Sequence, residues 1–202
     1  MAVVGELLFY HRNGVDLDDI LRHNSTKNLR DVVDGLAEKI FQESSDEEIA
    51  DKVASEMRIE PLEVDFDGAV PKVEETQVEI RDAYGFDRGP IRVAGLRATK
   101  TIPFKGDANL WHLRTNPFDM NPPHGEVRGK YLVVGIEVSA QQGDQAAQYI
   151  DGAIKSISEY VKRQRAQIEP YNESLKKAAL PFIQQRRSRL GNAADLLKKL
   201  GG

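Results

Sequence analysis

Apolar residues change their spacing twice along this chain, and the changes mark out its elements. Leu29, Val32, Val33, Leu36, Ile40 and Phe41 recur at helical spacing and predict a helix from about Lys27 to Gln42. Ahead of it, residues 3–10 read as a short strand or a buried lead-in, and Asp16 to Arg22 as a short helix. Asn24, Ser25 and Thr26 are good N-cap residues and are expected to start the longer helix. Ser44, Ser45 and Asp46 cap a third helix. Glu47 and Glu48 stand in its first turn, where the macrodipole favours acids, and Ile49, Val53 and Met57 form its buried stripe.

At Pro61 the period drops to two. Leu62, Val64 and Phe66 alternate with Glu63, Asp65 and Asp67, and Gly68 signals a turn. Thr76, Val78 and Ile80 alternate with Gln77, Glu79 and Arg81. Such strands have one wet face, as antiparallel sheets allow. Asp82 to Pro90 reads as a loop. Ile91 to Phe104 is strand-like, with a phase break at Gly95 that predicts a bulge. Leu110 to Leu113 reads as a short strand, and Asn116 to Gly125, with three prolines, as irregular. Tyr131 to Val138 is the most apolar strand and the candidate sheet centre.

From Asp144 the period is helical again. Ile150, Ile154, Ile157, Val161, Gln164 and Ile168 follow at steps of 4, 3, 4, 3 and 4, a 3.5-residue repeat that predicts a coiled-coil-like seam. Pro170 is expected to kink or end this helix, Pro181 to interrupt the next, and Gly191-Asn192 to stop it. The expected fold is therefore α+β: N-terminal helices, an antiparallel β-sheet and long C-terminal amphipathic helices. It divides into a body, residues 1–143, and a helical arm, residues 144–202, packed on the body or on a partner subunit.

Charge sharpens this division. Residues 1–143 hold 17 basic and 26 acidic side chains, and residues 144–202 hold 11 and 6, so an acidic body carries a basic arm. Arg186, Arg187, Arg189, Lys198 and Lys199 are the candidate contacts to nucleic acid. No aromatic platform is interleaved with them, so a solvated helix face or pairing with the acidic body is the stronger expectation. The chain has no cysteine, which removes disulfides, thiol catalysis and thiolate-bound zinc. No apolar run is long enough to span a membrane and the N-terminus lacks a basic leader, so a cytoplasmic location is expected.

Candidate chemistry is sparse. His11, His23, His112 and His124 do not pair at a metal-ligand spacing. His23 and Ser25 lie close together, but no nucleophile elbow is present and a helix cap explains Ser25. Gly85, Gly89, Gly125 and Gly129 make no phosphate-cradling loop. Asp65 and Asp67, near Glu63, share a strand face and are the alternative, a metal-dependent centre. A restriction-type nuclease needs a Glu-x-Lys or a close variant on the following strand, and neither Glu-x-Lys nor Asp-x-Lys occurs in the chain. No cofactor is expected.

Five stretches carry a resemblance: Ile20 to Leu29, Leu62 to Gly68, Thr101 to Asp107, Asn121 to Gly129 and Gln184 to Leu190. Together they resemble the N-terminal region of a family of uncharacterised bacterial proteins whose downstream part is similar to a restriction-endonuclease-like nuclease. The resemblance implies a non-catalytic assembly, sensing or regulatory module of a nuclease-associated, defence-type protein. It implies a linked catalytic domain as partner. The seam of Ile150, Ile154, Ile157, Val161 and Ile168 makes a second copy the other expected partner, and the basic arm makes nucleic acid the alternative.

Overall fold

A computed structural model describes residues 1–10, 15–80, 91–117 and 119–201. The expected Asp82 to Pro90 loop, with Gly85 and Gly89, and also His11, lie outside the described residues. The chain forms two compact units. One joins Met1–Asp16 to Pro61–Arg165, the other Leu17–Glu60 to Ala166–Gly202. The dividing line thus runs through the helical arm rather than ahead of it, because each half of the arm buries its apolar stripe in a different unit.

The first unit is an antiparallel sheet covered by a helix. Its strands are β1 (Ala2–Val3), β2 (Glu6–Leu7), β3 (Glu63–Val64), β4 (Val70–Ile80), β5 (Ile91–Lys105), β6 (His124–Arg128) and β7 (Tyr131–Ser139). They run in the order β2-β6-β7-β5-β3, with β1 added on β7 and β4 on β5. The α+β expectation holds. Strand β7 sits at the centre, as its apolar run predicts, with Leu132, Val133, Val134, Ile136 and Val138 all buried.

Three local expectations fail in this unit. Gly95 makes no bulge: β4 and β5 pair without a break from Val70↔Thr101 to Ile80↔Ile91. Glycine is needed there for space instead, since a Cβ would lie 2.3 Å from Val78 Cγ2 and 2.7 Å from the Val138 carbonyl oxygen. The strand expected through Asp67 ends at Val64, because Asp65 Oδ1 accepts the Gly68 N–H at 2.9 Å and turns the chain. Leu110 to Leu113 is not a strand. Ala108–His112 is a 3-10 turn, started by Asp107, whose Oδ1 accepts the Asn109 N–H at 2.9 Å.

Helix α5 spans Gly143–Lys199 without interruption. Neither Pro170 nor Pro181 ends it. Both are exposed, as are Ala166 and Lys177 four residues earlier, whose carbonyls lose their helical donor and face water. Gly191 does not stop it either; the chain leaves the helix at Gly201, which takes φ +86°. Up to Arg165, α5 belongs to the sheet unit. There Tyr160 stacks on Phe9 with ring centroids 4.6 Å apart, and Trp111 contacts Phe9 at 5.4 Å and Phe104 at 5.3 Å. These four aromatic residues are the heart of that core.

The second unit is helical. It holds α1 (Leu17–His23), a π-helical turn (Asn24–Asn28), α2 (Leu29–Gly35), α3 (Glu38–Glu43), α4 (Asp46–Met57) and the remainder of α5. Asn24, Ser25 and Thr26 cap nothing. Ser25 Oγ donates to the Leu21 carbonyl at 2.9 Å and Thr26 Oγ1 to that of Arg22 at 3.0 Å, so the hydroxyls are satisfied inside the turn. The single helix expected over Lys27 to Gln42 breaks at Leu36 and Ala37, which are extended. The Arg186 guanidinium donates to the freed Leu36 carbonyl at 2.8 Å. Ser45 caps α4, as expected, and its pairing with Glu48 is a reciprocal capping box. Leu29, Val33, Phe41, Ile49, Ala50, Val53, Ala179 and Ile183 form the core.

Candidate functional site

The sheet unit carries an open groove of about 840 Å³ between β3, the adjoining ends of β5 and β7, and α5. Backbone pairing sets its sheet-side wall. Val64 pairs with Phe104 and Pro103 with Tyr131. The Asp65 N–H donates to the Pro103 carbonyl and the Phe104 N–H to that of Lys130, both at 2.9 Å. The opposite wall is one face of α5. Ser158, Val161, Lys162 and Arg165 stand at i, i+3, i+4 and i+7 and so project together.

Leu62 and Phe104 are buried beneath the groove, Val64, Phe66 and Val161 are half-buried, and the Tyr131 side is 51% exposed. Lys105, Lys130, Lys162 and Arg165 bring four positive charges to the lining, against Glu63 and Asp65. Arg165 lies 3.7 Å from Glu63, and Lys162 is 3.0 Å from Glu159. Among the described residues Lys105 and Lys130 have no carboxylate within salt-bridge distance. A lining with two more cations than anions, in a chain of formal charge −4, favours a negatively charged occupant.

Of the residues expected to form a seam, Ile150, Ile157 and Ile168 are buried, while Ile154 and Val161 are half-buried at its edge. The buried stripe is instead Ala146, Ile150, Ala153, Ile157, Tyr160, Gln164, Ile168, Tyr171, Leu175, Ala179 and Ile183. It advances 37 residues in ten steps, about 3.7 per step, near the period of a straight helix rather than a heptad. The stripe packs within the chain. Gln164 belongs to it because its Nε2 donates to the carbonyls of Leu110 at 2.7 Å and Leu113 at 3.3 Å.

The expected nucleic-acid contacts are largely engaged elsewhere. Arg187 pairs with Asp46 at 2.7 Å, donates to the Ser44 carbonyl at 2.8 Å and also reaches that of Phe41. Arg186 lies over the Phe41 ring and 3.8 Å from Asp34, which Arg189 also binds. Lys198 is 3.9 Å from Asp195, and both it and Lys199 are exposed on the last turn of α5. Asp65 is occupied as a turn former, and no cluster of potential metal ligands occurs among the described residues. His23, His112 and His124 lie on separate elements. Among the described residues no helix is long and apolar enough to cross a membrane.

Sequence reasoning did not find the groove. Leu62 to Gly68 and Thr101 to Asp107, two stretches singled out above, supply much of its sheet side. Nothing local marks Lys130, or the Tyr131 end of the central strand, as part of the groove, because strand pairing is what places Tyr131 beside Pro103. No family model, no curated protein and no solved structure matches this chain.

Proposed function

We propose that this chain is a sensing and regulatory module, the N-terminal part of a larger, cytoplasmic, nuclease-associated bacterial protein, and that it responds to a small organic anion held in the groove. The groove carries this reading. Its volume of about 840 Å³ falls in the range of about 300–1,000 Å³ typical of small-molecule sites. It joins buried apolar residues to a lining richer in cations than anions, a combination that suits an amphipathic anion. An occupant would also touch Ser158 to Arg165, the turns of α5 that lead directly into Ala166 and the second unit.

The test is binding by the full chain. Melting is followed against dicarboxylates, sugar phosphates, nucleotides and medium-chain fatty acids at low ionic strength. At least one class is expected to raise the melting temperature, with the rise lost in Lys130→Glu. Absence of any response across the panel removes the sensing role. Cleavage of DNA in Mg²⁺ or Mn²⁺ that disappears in Asp67→Ala would replace it with an enzyme.

A further inference from the structure

We infer that the outer edge of β4 docks a second copy of this chain, the two β4 strands pairing antiparallel about a two-fold axis at Val73.

The hydrogen-bond phase of the sheet identifies which backbone groups of β4 are free. The Asp65 N–H donates to the Pro103 carbonyl, and the Phe104 N–H to that of Lys130. Odd-numbered residues of β5 therefore address the β3 and β4 side, and even-numbered ones address β7. Val70, Lys72, Glu74, Thr76 and Val78 stand opposite odd-numbered residues of β5 and so turn their backbone groups inward. Accordingly, Thr99 Oγ1 donates to the Lys72 carbonyl at 3.4 Å. Val73, Glu75, Gln77 and Glu79 turn N–H and C=O outward, and Pro71 its carbonyl. Among the described residues no strand pairs with that side of β4, and Val70 to Glu75 are all exposed. Val70 and Val73 are each 63% exposed.

The order of side chains along β4 selects its own copy as the occupant. Symmetric antiparallel pairing places one residue of each copy on the two-fold axis. With Lys72, Glu74 or Glu75 there, identical charges stand directly opposite; with Gln77, Glu75 faces Glu79. Thr76 and Val78 match no opposite charges. With Val73 on the axis, Lys72 of each copy faces Glu74 of the other, Val73 faces Val73 and Val70 faces Thr76. Opposite charges and apolar side chains paired this way stabilise a sheet, whereas like charges destabilise it. Val73 then exchanges both backbone hydrogen bonds with its copy, and each Glu75 N–H meets a Pro71 carbonyl. Val73 shares its sheet face with Ala98 and Ile136, and Ile136 packs with Ala146 of α5. The two exposed valines thus cover each other on the face that α5 lines.

Because both copies use the same edge, the pairing closes as a dimer and does not propagate from β4. A ladder from Val70 to Thr76 is small against the roughly 800 Å² per partner of a stable interface, so the dimer is weak and concentration-dependent.

The experiment is sedimentation of the full chain from low to high micromolar concentration. Dimer is expected to grow with concentration. Lys72→Glu and Glu74→Lys should each weaken it about tenfold or more, and an equimolar mixture of the two variants should restore it, because each then supplies the charge the other lacks. Both positions are exposed, so circular dichroism should be unchanged. The chain has no cysteine, which makes cross-linking unambiguous. Opposed Cα atoms of a hydrogen-bonded pair lie about 5.5 Å apart, within disulfide range. Val73→Cys should therefore form a disulfide-linked dimer in oxidised glutathione. Gln77→Cys should not, because the two Gln77 positions lie about 27 Å apart in this register. Monomer at every concentration overturns the inference. So does a dimer indifferent to both charge variants, or one in which Gln77→Cys cross-links as readily as Val73→Cys.

Discussion

Gln164 is a fully buried polar residue in an apolar helix stripe, and its amide reaches the neighbouring turn. Its Nε2 donates to the Leu110 carbonyl, which also accepts the Leu113 N–H at 3.2 Å, and to the Leu113 carbonyl. Replacing Gln164 with Leu keeps the volume but removes both of its hydrogen bonds. Urea denaturation should show a loss of about 1–3 kcal/mol. Asp16 is a second case. Its carboxylate takes two hydrogen bonds from Arg114, at 2.5 and 2.9 Å, and these hold its pKa below the ordinary aspartate range. The contribution to stability is therefore complete above the ordinary aspartate pKa of about 3.9 and is lost as pH falls through the lower folded-state value. In Asp16→Asn this acid-limb decline should shrink, as measured by melting temperature against pH. The partners of both residues lie far away in sequence, so neither contact was legible there. The cap at Ser45 was legible, because it closes within four residues.

At the scale of elements, α5 shows how packing overrides local propensity. Two prolines within 57 helical residues should end it, yet both lie on the exposed face while the buried stripe passes beneath them. Each removes one backbone hydrogen bond and leaves a carbonyl to water, a loss outweighed by burial of Ile168, Tyr171, Leu175, Ala179 and Ile183. Pro170→Ala should therefore stabilise the chain, by up to about 3 kcal/mol, in the same urea measurement. A loss of stability would mean that the proline sets a curvature the packing requires. The predicted heptad fails for a related reason. A 3.5-residue reading picks out Ile154 and Val161, whereas Ala153 and Tyr160 face the core in their place. Alanine is too small to register as a core signal, and tyrosine reads as amphipathic.

For the whole molecule, the basic surplus of residues 144–202 is spent largely on contacts within each unit. Arg187 reaches Asp46 across 141 residues of sequence, and Arg163 reaches Asp119 at 3.1 Å. An Arg186→Ala, Arg187→Ala double variant should thus be less stable, by about 3 kcal/mol or more given charged hydrogen bonds worth about 1.5–3 kcal/mol each. Any weak association with DNA at low salt should keep its salt slope, because these guanidiniums already hold Asp34, Asp46 and backbone carbonyls. A mobility-shift titration in which the slope falls by two charges would instead place both on phosphate.

The chain's own periodicity determined the class of fold: helices, then antiparallel strands with β7 at the centre, then a helix from Gly143. It could do so because strand and helix spacing, and the Ser45 cap, are local properties that neighbouring residues impose on one another. Only the tertiary structure decided the rest. The room that Gly95 leaves for Val78, the tolerance of Pro170 and Pro181, the partners of the arginines and the groove beside Tyr131 all depend on residues distant in sequence. The division into units is of the same kind. A continuous helix carries no local mark at Arg165, and which core each turn buries itself in is settled by the surfaces it meets.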